Sequence, residues 1–240
     1  MWAVRSQMPD GSLRIHKNTW ERDRIMTKED MIYEQIKQDI LNNEFPAGTV
    51  LVERKLTERY QVSRSPVRYA LRLLVKDGLL TGEPGKGIMV PVYTLEDILE
   101  VYDLLEVLQI YAIQMSLKNY DEAIDEEMSR ILGETRKNTS EDRLDVRMQW
   151  DIRFHDCIIH NVHNRRLNSI FETLVNQKRR FDITSFHDVE HGKKTNDQHE
   201  QIFAALKARD MEGAIAAVRA HEAYIKQYYI EKLITGRYNI

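Results

Sequence analysis

The sequence predicts a mainly α protein: an N-terminal winged helix-turn-helix followed by an all-α bundle of six to seven helices. Three observations carry that expectation. Between residues 31 and 93, three helical patterns are followed by two short β-type runs around a Pro-Gly tip. Through residues 94–240, apolar stripes at helical spacing follow one another without a strand signal. Basic residues concentrate in the first of these parts although the whole chain is slightly acidic. We therefore divide the chain into an extension (1–30), a winged unit (31–93) and a helical unit (94–240).

In the winged unit, Ile32, Ile36, Ile40 and Leu41 predict a helix over residues 30–43. Phe45-Pro46-Ala47-Gly48 is a turn signal. Residues 53–60 form a short helix with Leu56 and Tyr60 inward, and Gln61-Val62-Ser63 is a tight connection. The next helix is expected to start at Ser65-Pro66, where Ser can cap free N–H groups and Pro suits the first helical position. Its inward face is Val67, Ala70, Leu71, Leu74 and Val75, and Gly78 suits a left-handed stop. Leu79-Leu80-Thr81 and Ile88 to Val92 are strand-like, with the tip at residues 83–87. In the helical unit, the stripes are Val101/Leu104/Leu105/Leu108/Ala112/Met115, Ile124/Met128/Ile131/Leu132 and Leu144/Met148/Ile152/Ile159. Leu167/Ile170/Phe171/Leu174, Ile202/Phe203/Leu206 and Met211/Ala214/Ile215/Val218/Ile225 complete them.

A chain of 240 residues with 42% apolar content can bury real cores, which excludes a disordered or low-complexity polymer. The single cysteine, Cys157, excludes an intrachain disulfide and every multi-cysteine zinc module. No apolar run approaches the roughly 18 residues of a membrane span, and the first residues lack the apolar core of a secretory signal. A cytoplasmic setting without a membrane partner is the expectation. The net charge of −3 comes from 35 basic and 38 acidic residues, yet Arg54 to Lys86 holds eight basic residues against Glu58, Asp77 and Glu83. Such a local surplus is suited to phosphates.

On the Pro66 helix, Arg64, Arg68 and Arg72 repeat every four residues opposite the apolar stripe, with Lys76 a turn beyond. Arginine can bond guanine O6 and N7 together, which gives about 1–3 kcal/mol of discrimination per good pair. Ser63 and Ser65 lie at the helix start, where a recognition helix meets base edges and phosphates. Arg54 precedes them, and Lys86 sits beside Gly85 at the hairpin tip. Arg54, Ser63, Arg64, Ser65, Arg68, Arg72, Gly85 and Lys86 are the candidate DNA contacts. A single basic helix face would read as solvated surface. Here charge, helix start and hairpin agree within one short stretch.

The run Phe45-Pro46-Ala47-Gly48, Leu51, Glu53-Arg54-Lys55-Leu56, Val62-Ser63-Arg64-Ser65-Pro66-Val67-Arg68, Ala70-Leu71, Leu74, Gly78-Leu79, Gly85, Gly87 and Val90 resembles the GntR family of bacterial transcription regulators. The helical half is similar to the ligand-binding FCD domain of the FadR-type subfamily. The resemblance spans about residues 31–235 and implies DNA contacts by Arg54, Arg64, Ser65, Arg68 and the Gly85 wing. Tyr69 departs from the acidic residue usual after that arginine.

In the helical half, Asp151 and His155 are one turn apart on an apolar face, so both project inward. His199 shares the stripe of Ile202, Phe203 and Leu206, and His221 that of Ile215, Val218 and Ile225. Each alone has a plain explanation as a hydrogen-bonded core residue. Together, three imidazoles and a carboxylate in one helical core match the ligand chemistry of a divalent transition metal, zinc first, with nickel, manganese or iron as alternatives. His160, His163, His187 and His191 fall off the stripes and are expected on surfaces or loops. The metal-binding branch of the FCD domain resembles this chain at Asp151, His155, His199 and His221, and implies a small organic-acid effector at the metal. Such domains commonly carry an Arg and, four residues on, a Glu on their first helix; this chain has Leu105 and Gln109. Arg147, Arg153, Lys178 and Arg179 are the remaining candidates for an anion clamp.

The expectation is a homodimeric regulator and not an enzyme, a repressor by the family's commoner habit, that binds a palindromic double-stranded operator and responds to an organic acid. The alternatives are a metal-dependent hydrolase with a nucleic-acid-binding appendage, for which no HExxH or GxSxG motif speaks, and a metal-free acyl-ligand regulator of the same fold.

Overall fold

A computed structural model of the chain describes residues 27–83, 87–138, 144–186 and 188–235. It has the expected architecture, a small winged unit followed by a bundle of six long helices. Helix α1 (Lys28–Leu41) begins two residues before the expected start. Thr27 and Asp30 close a reciprocal capping box there, each side chain bonding the other's backbone N–H. Helix α2 (Glu53–Tyr60) has the predicted bounds, and Gln61 ends it in the left-handed conformation. Helix α3 (Arg64–Lys76) starts earlier than Ser65-Pro66 suggested, with Ser63 in the cap position and without a side-chain cap bond. Pro66 thus falls third in the helix, still in the first turn, where a missing N–H costs nothing.

The strands β1 (Thr81–Glu83) and β2 (Gly87–Met89) pair antiparallel, Thr81 opposite Met89. The expected first strand is displaced because Leu79 and Leu80, at 0% and 3% exposure, are consumed by the core instead. An unpredicted third rung comes from the segment after the Phe45–Gly48 turn. Val50 bridges Met89, Leu51 donates to the Ile88 carbonyl at 2.8 Å, and Val90 donates to Thr49 at 3.0 Å. Around this sheet, Ile36, Ile40, Val67, Ala70 and Leu74 are fully buried, so one core fixes α1 and α3 against the wing.

The helical unit runs α4 (Leu95–Ser116), a 3-10 turn (Leu117–Asn119), α5 (Glu122–Lys137), α6 (Leu144–His160), α7 (Arg165–Phe186), α8 (Val189–Lys207) and α9 (Met211–Ile234). Helix α4 opens on a second capping box, Thr94 with Asp97, and packs against α6, α7 and α9. Three residues placed inward by periodicity are half-exposed: Leu104, Met115 and Ile170. The buried face of α6 keeps Ile159 of the expected stripe, whereas Met148 and Ile152 are only partly buried. It carries Arg147, Asp151, Phe154, His155, Ile158 and Ile159. This face is partly polar, so apolar periodicity alone misplaces its centre.

The two units meet along α7. Arg180 donates to the Ile40 carbonyl, Tyr93 stacks edge-on to Phe181, and the Tyr93 hydroxyl donates to the Gly78 carbonyl at 3.3 Å. Gly78 follows α3 in the left-handed region at φ 72°, and Leu79 donates back to the Leu74 carbonyl. A methyl group on Gly78 would meet the Gln177 amide of α7 at 2.5 Å. Gly78→Ala therefore combines backbone strain of about 1–2 kcal/mol with crowding of this junction. The expected outcome is a lower denaturation midpoint with unchanged helix content, checked by urea titration followed by circular dichroism. An unchanged midpoint would refute the account of this turn.

Candidate metal centre and nucleic-acid interface

Packing of Val67, Ala70, Leu71 and Leu74 into the core leaves Arg64, Ser65, Arg68 and Arg72 exposed along one face of α3, with Ser63 exposed at its start. Arg68 is held there: its Nε contacts both carboxylate oxygens of Glu53, at 2.9 and 2.8 Å. Arg54 pairs with Glu58 at 2.9 Å. Both are solvent-exposed pairs, whose net worth in water is small, so they orient the guanidinium groups without sequestering them. Arg64 and Arg72 have no ion pair among the described residues and are exposed. Gly85 and Lys86 lie outside the described residues.

The second site lies inside the bundle. Helix α6 supplies Asp151 and His155, α8 supplies His199 and α9 supplies His221, at 6%, 5%, 3% and 3% exposure. Ring nitrogens of the three histidines fall within 4.8 Å of one another, an arrangement able to hold a metal ion. Asp151 Oδ1 stands 3.7 Å from His199 Nε2 and 4.0 Å from His155 Nε2. The fit to a metal is supported by an orphan: His199 Nε2 is buried without a hydrogen bond. Its ring is braced by stacking on Phe154, with centroids 4.4 Å apart. A donor set of three imidazoles and one carboxylate suits zinc and related ions.

The other oxygen of Asp151 accepts from Lys178 Nζ at 3.0 Å. Lys178 also pairs with Asp182, which accepts hydrogen bonds from the Tyr102 and Tyr229 hydroxyls. Burial alone would push the Asp151 carboxyl up, but Lys178, His155 and His199 together hold it well below the usual range. Burial alone would lower Lys178, and its two carboxylate neighbours raise it instead. The imidazoles are governed by burial, which pushes His155 and His199 down to about 3 and His221 well below its ordinary value. They are neutral at pH 7, the state in which imidazole ligates metals.

A cavity beside the cluster is lined by Tyr102, Arg147, Asp151, Lys178, His191, Asn196, His199 and His221. Arg147 lies flat over Gly192 of α8, with three guanidinium atoms 3.6–3.7 Å from where a β-carbon would stand. Of the four anion-clamp candidates, Arg147 and Lys178 reach this cavity; Arg153 instead lies over the Trp150 ring, and Arg179 is absent from the lining. His191, expected on the surface, is buried and stacks on Tyr228 with centroids 3.7 Å apart. Gln109, Asp182 and Glu222 are buried and Gln198 is half-buried, and all four act through hydrogen bonds between helices, which leave no signal in residue spacing. Arg147 had a usable one, standing one turn before Asp151 on the same face.

An arginine-faced helix with a wing, joined to a helical unit built around a polar cavity, defines a DNA-binding regulator with a ligand-binding half. The comparisons agree. The gntR family of bacterial regulatory proteins matches residues 28–90, and the FCD domain matches residues 100–223. The HTH-type transcriptional regulator YdhC of Bacillus subtilis is 32% identical over 86% of this chain and 93% of its own length. The gluconate operon transcriptional repressor of Bacillus licheniformis is 26% identical, over 73% of this chain and 74% of its own. In fold, a putative GntR regulator from Rhodococcus sp. RHA1 superposes with a TM-score of 0.72 at 20% identity, covering 85% of this chain and 97% of that one. The chain belongs to the gntR family of bacterial regulatory proteins and carries its FCD domain. Among the described residues, no helix is long and apolar enough to cross a membrane.

The buried imidazoles make stability pH-dependent with a definite sign. His155 and His199 refuse protons until about 3, whereas the unfolded chain takes them up at 6.5. Their contribution is complete above 6.5 and is lost as the pH falls toward 3. In metal-free protein, the melting temperature is expected to drop steadily below that upper value, less steeply in His199→Gln. Parallel profiles for the two proteins would contradict this origin.

Proposed function

We propose that this chain is a FadR-type member of the family: a homodimeric, cytoplasmic repressor, not an enzyme, that reads a palindromic operator. Its grip on DNA changes when a small organic acid binds at a divalent metal, zinc first, held by Asp151, His155, His199 and His221. The observation that carries this assignment is the shared use of α7. Lys178 of α7 bonds Asp151, while its neighbours Gln177, Arg180 and Phe181 touch Gly78, the Ile40 carbonyl and Tyr93 of the winged unit and its exit. A ligand that draws Asp151 toward a metal changes what Lys178 holds, and the same helix carries the change to the base of the recognition helix. An effector acts in this way only through unequal affinity for two arrangements. Arg147 and Lys178 are the groups placed to meet its carboxylate.

Dimerisation is supported by α4. Leu104, Val107, Tyr111 and Met115 lie on one face of that helix, 52%, 61%, 40% and 49% exposed. A second copy covers such a stripe by two-fold pairing, and a two-fold protein fits a palindrome. Val107→Glu is expected to sediment as a monomer at concentrations where the wild type is a dimer; an intact dimer would move the interface elsewhere.

One observation favours the metal-free alternative: Lys178 already supplies Asp151 with a cation. Metal analysis of untagged protein separates the two. His199→Ala should keep its helix content and lose tight zinc, and stoichiometric zinc in that variant would remove His199 from the site. For the DNA face, duplexes selected from a random library by the wild-type protein are the probe. Arg64→Ala should lose about 1–3 kcal/mol of binding to them. Full affinity in Arg64→Ala and Arg72→Ala together would refute the recognition-helix assignment.

A further inference from the structure

We propose that Gln109 is a positioning residue that fixes which nitrogen of His155 faces the metal. The inference rests on the metal-site assignment above, but its central observable needs no metal. Gln109 is 1% exposed on α4. Its Nε2 donates to Glu222 Oε1 at 2.7 Å and to the Leu105 carbonyl at 3.3 Å. A peptide carbonyl can only accept, so the amide nitrogen must be the atom on that side, whatever the state of Glu222. The amide oxygen is then the atom that lies 2.6 Å from His155 Nδ1. An amide oxygen can only accept in turn, so Nδ1 carries the proton and Nε2 keeps its lone pair. That Nε2 is the atom 4.0 Å from Asp151 Oδ1, on the cluster side.

His221 Nδ1 also lies beside an amide, 3.3 Å from Gln198 Oε1. Both neighbours are amides, and this has a chemical consequence. Carboxylate partners raise the basicity of a ligating imidazole and offset the metal's charge. Amides orient the rings and add no charge, which leaves Asp151 as the one anion among the four proposed ligands. A divalent ion there retains net positive charge and stays receptive to an anionic ligand.

The test compares full-length wild type with Gln109→Met, which conserves volume and removes the hydrogen bonds, and Gln109→Glu, which restores the acceptor. Long-range proton–nitrogen NMR of metal-free protein reads the tautomer, with the His155 ring assigned by its loss in His155→Asn. Wild type and Gln109→Glu should show the Nδ1–H form, and Gln109→Met should lose it. Zinc affinity by chelator competition should fall about 10–100-fold in Gln109→Met and recover in Gln109→Glu. An Nε2–H form in wild type overturns the proposal, as does a Gln109→Met variant with both tautomer and zinc affinity unchanged. An Nδ1–H wild type that binds no zinc would sink the metal-site assignment while leaving the tautomer assignment standing.

Discussion

Everything in the helical unit is arranged around one desolvated ion network. Asp151, Lys178 and Asp182 are taken out of water together, and each charge must find its partner inside the protein. Breaking such a network by deleting one member typically costs about 3–5 kcal/mol, because the survivor is left buried and uncompensated. The partners come from different helices: Asp151 from α6, Lys178 and Asp182 from α7, with hydroxyl donors from Tyr102 of α4 and Tyr229 of α9. Four of the six bundle helices are thereby keyed to one register, which hydrophobic packing alone would not impose. The neutral histidines sit beside this network and gain their low proton affinity from the same exclusion of water.

The winged unit is held by the opposite logic. Its core is almost wholly apolar, and its charges stay in solvent on the outer face of α3. An exposed Arg68 paired with Glu53 can exchange that partner for a phosphate or base at little cost, whereas a buried Lys178 cannot leave Asp151 without a replacement cation. The chain thus places exchangeable charge where a polyanion would be met, and committed charge at its polar core. Helix α7 touches both regimes within five residues, from Gln177 to Phe181.

Much of this was legible in the chain itself. The bounds of α2 and the left-handed stop at Gly78 followed from local chemistry, and the structure has both. So did the inward direction of Asp151, His155, His199 and His221, because each shares an apolar stripe. Errors came where a local signal had two outcomes. Ser63 and Ser65 are both competent caps, and only the chain's path after Gln61 selects the first. Leu104 and Met115 border the apolar stripe of α4, and periodicity cannot tell a core-facing leucine from one on an adjoining exposed face.

What the amino-acid sequence determined by itself was the set of local and periodic features: the order of the helices, the basic face of α3, and the inward turn of His155, His199 and His221, though not of His191. Those depend on interactions within a few residues, and spacing encodes them. What only the tertiary structure decided was pairing across distance: Lys178 with Asp151, Gln109 with His155, Arg180 with Ile40. The residues of these contacts are separated by 27, 46 and 140 positions. Their free energy arises only once water is expelled from between them, so it exists in the packed bundle and leaves no trace in the pattern of the chain.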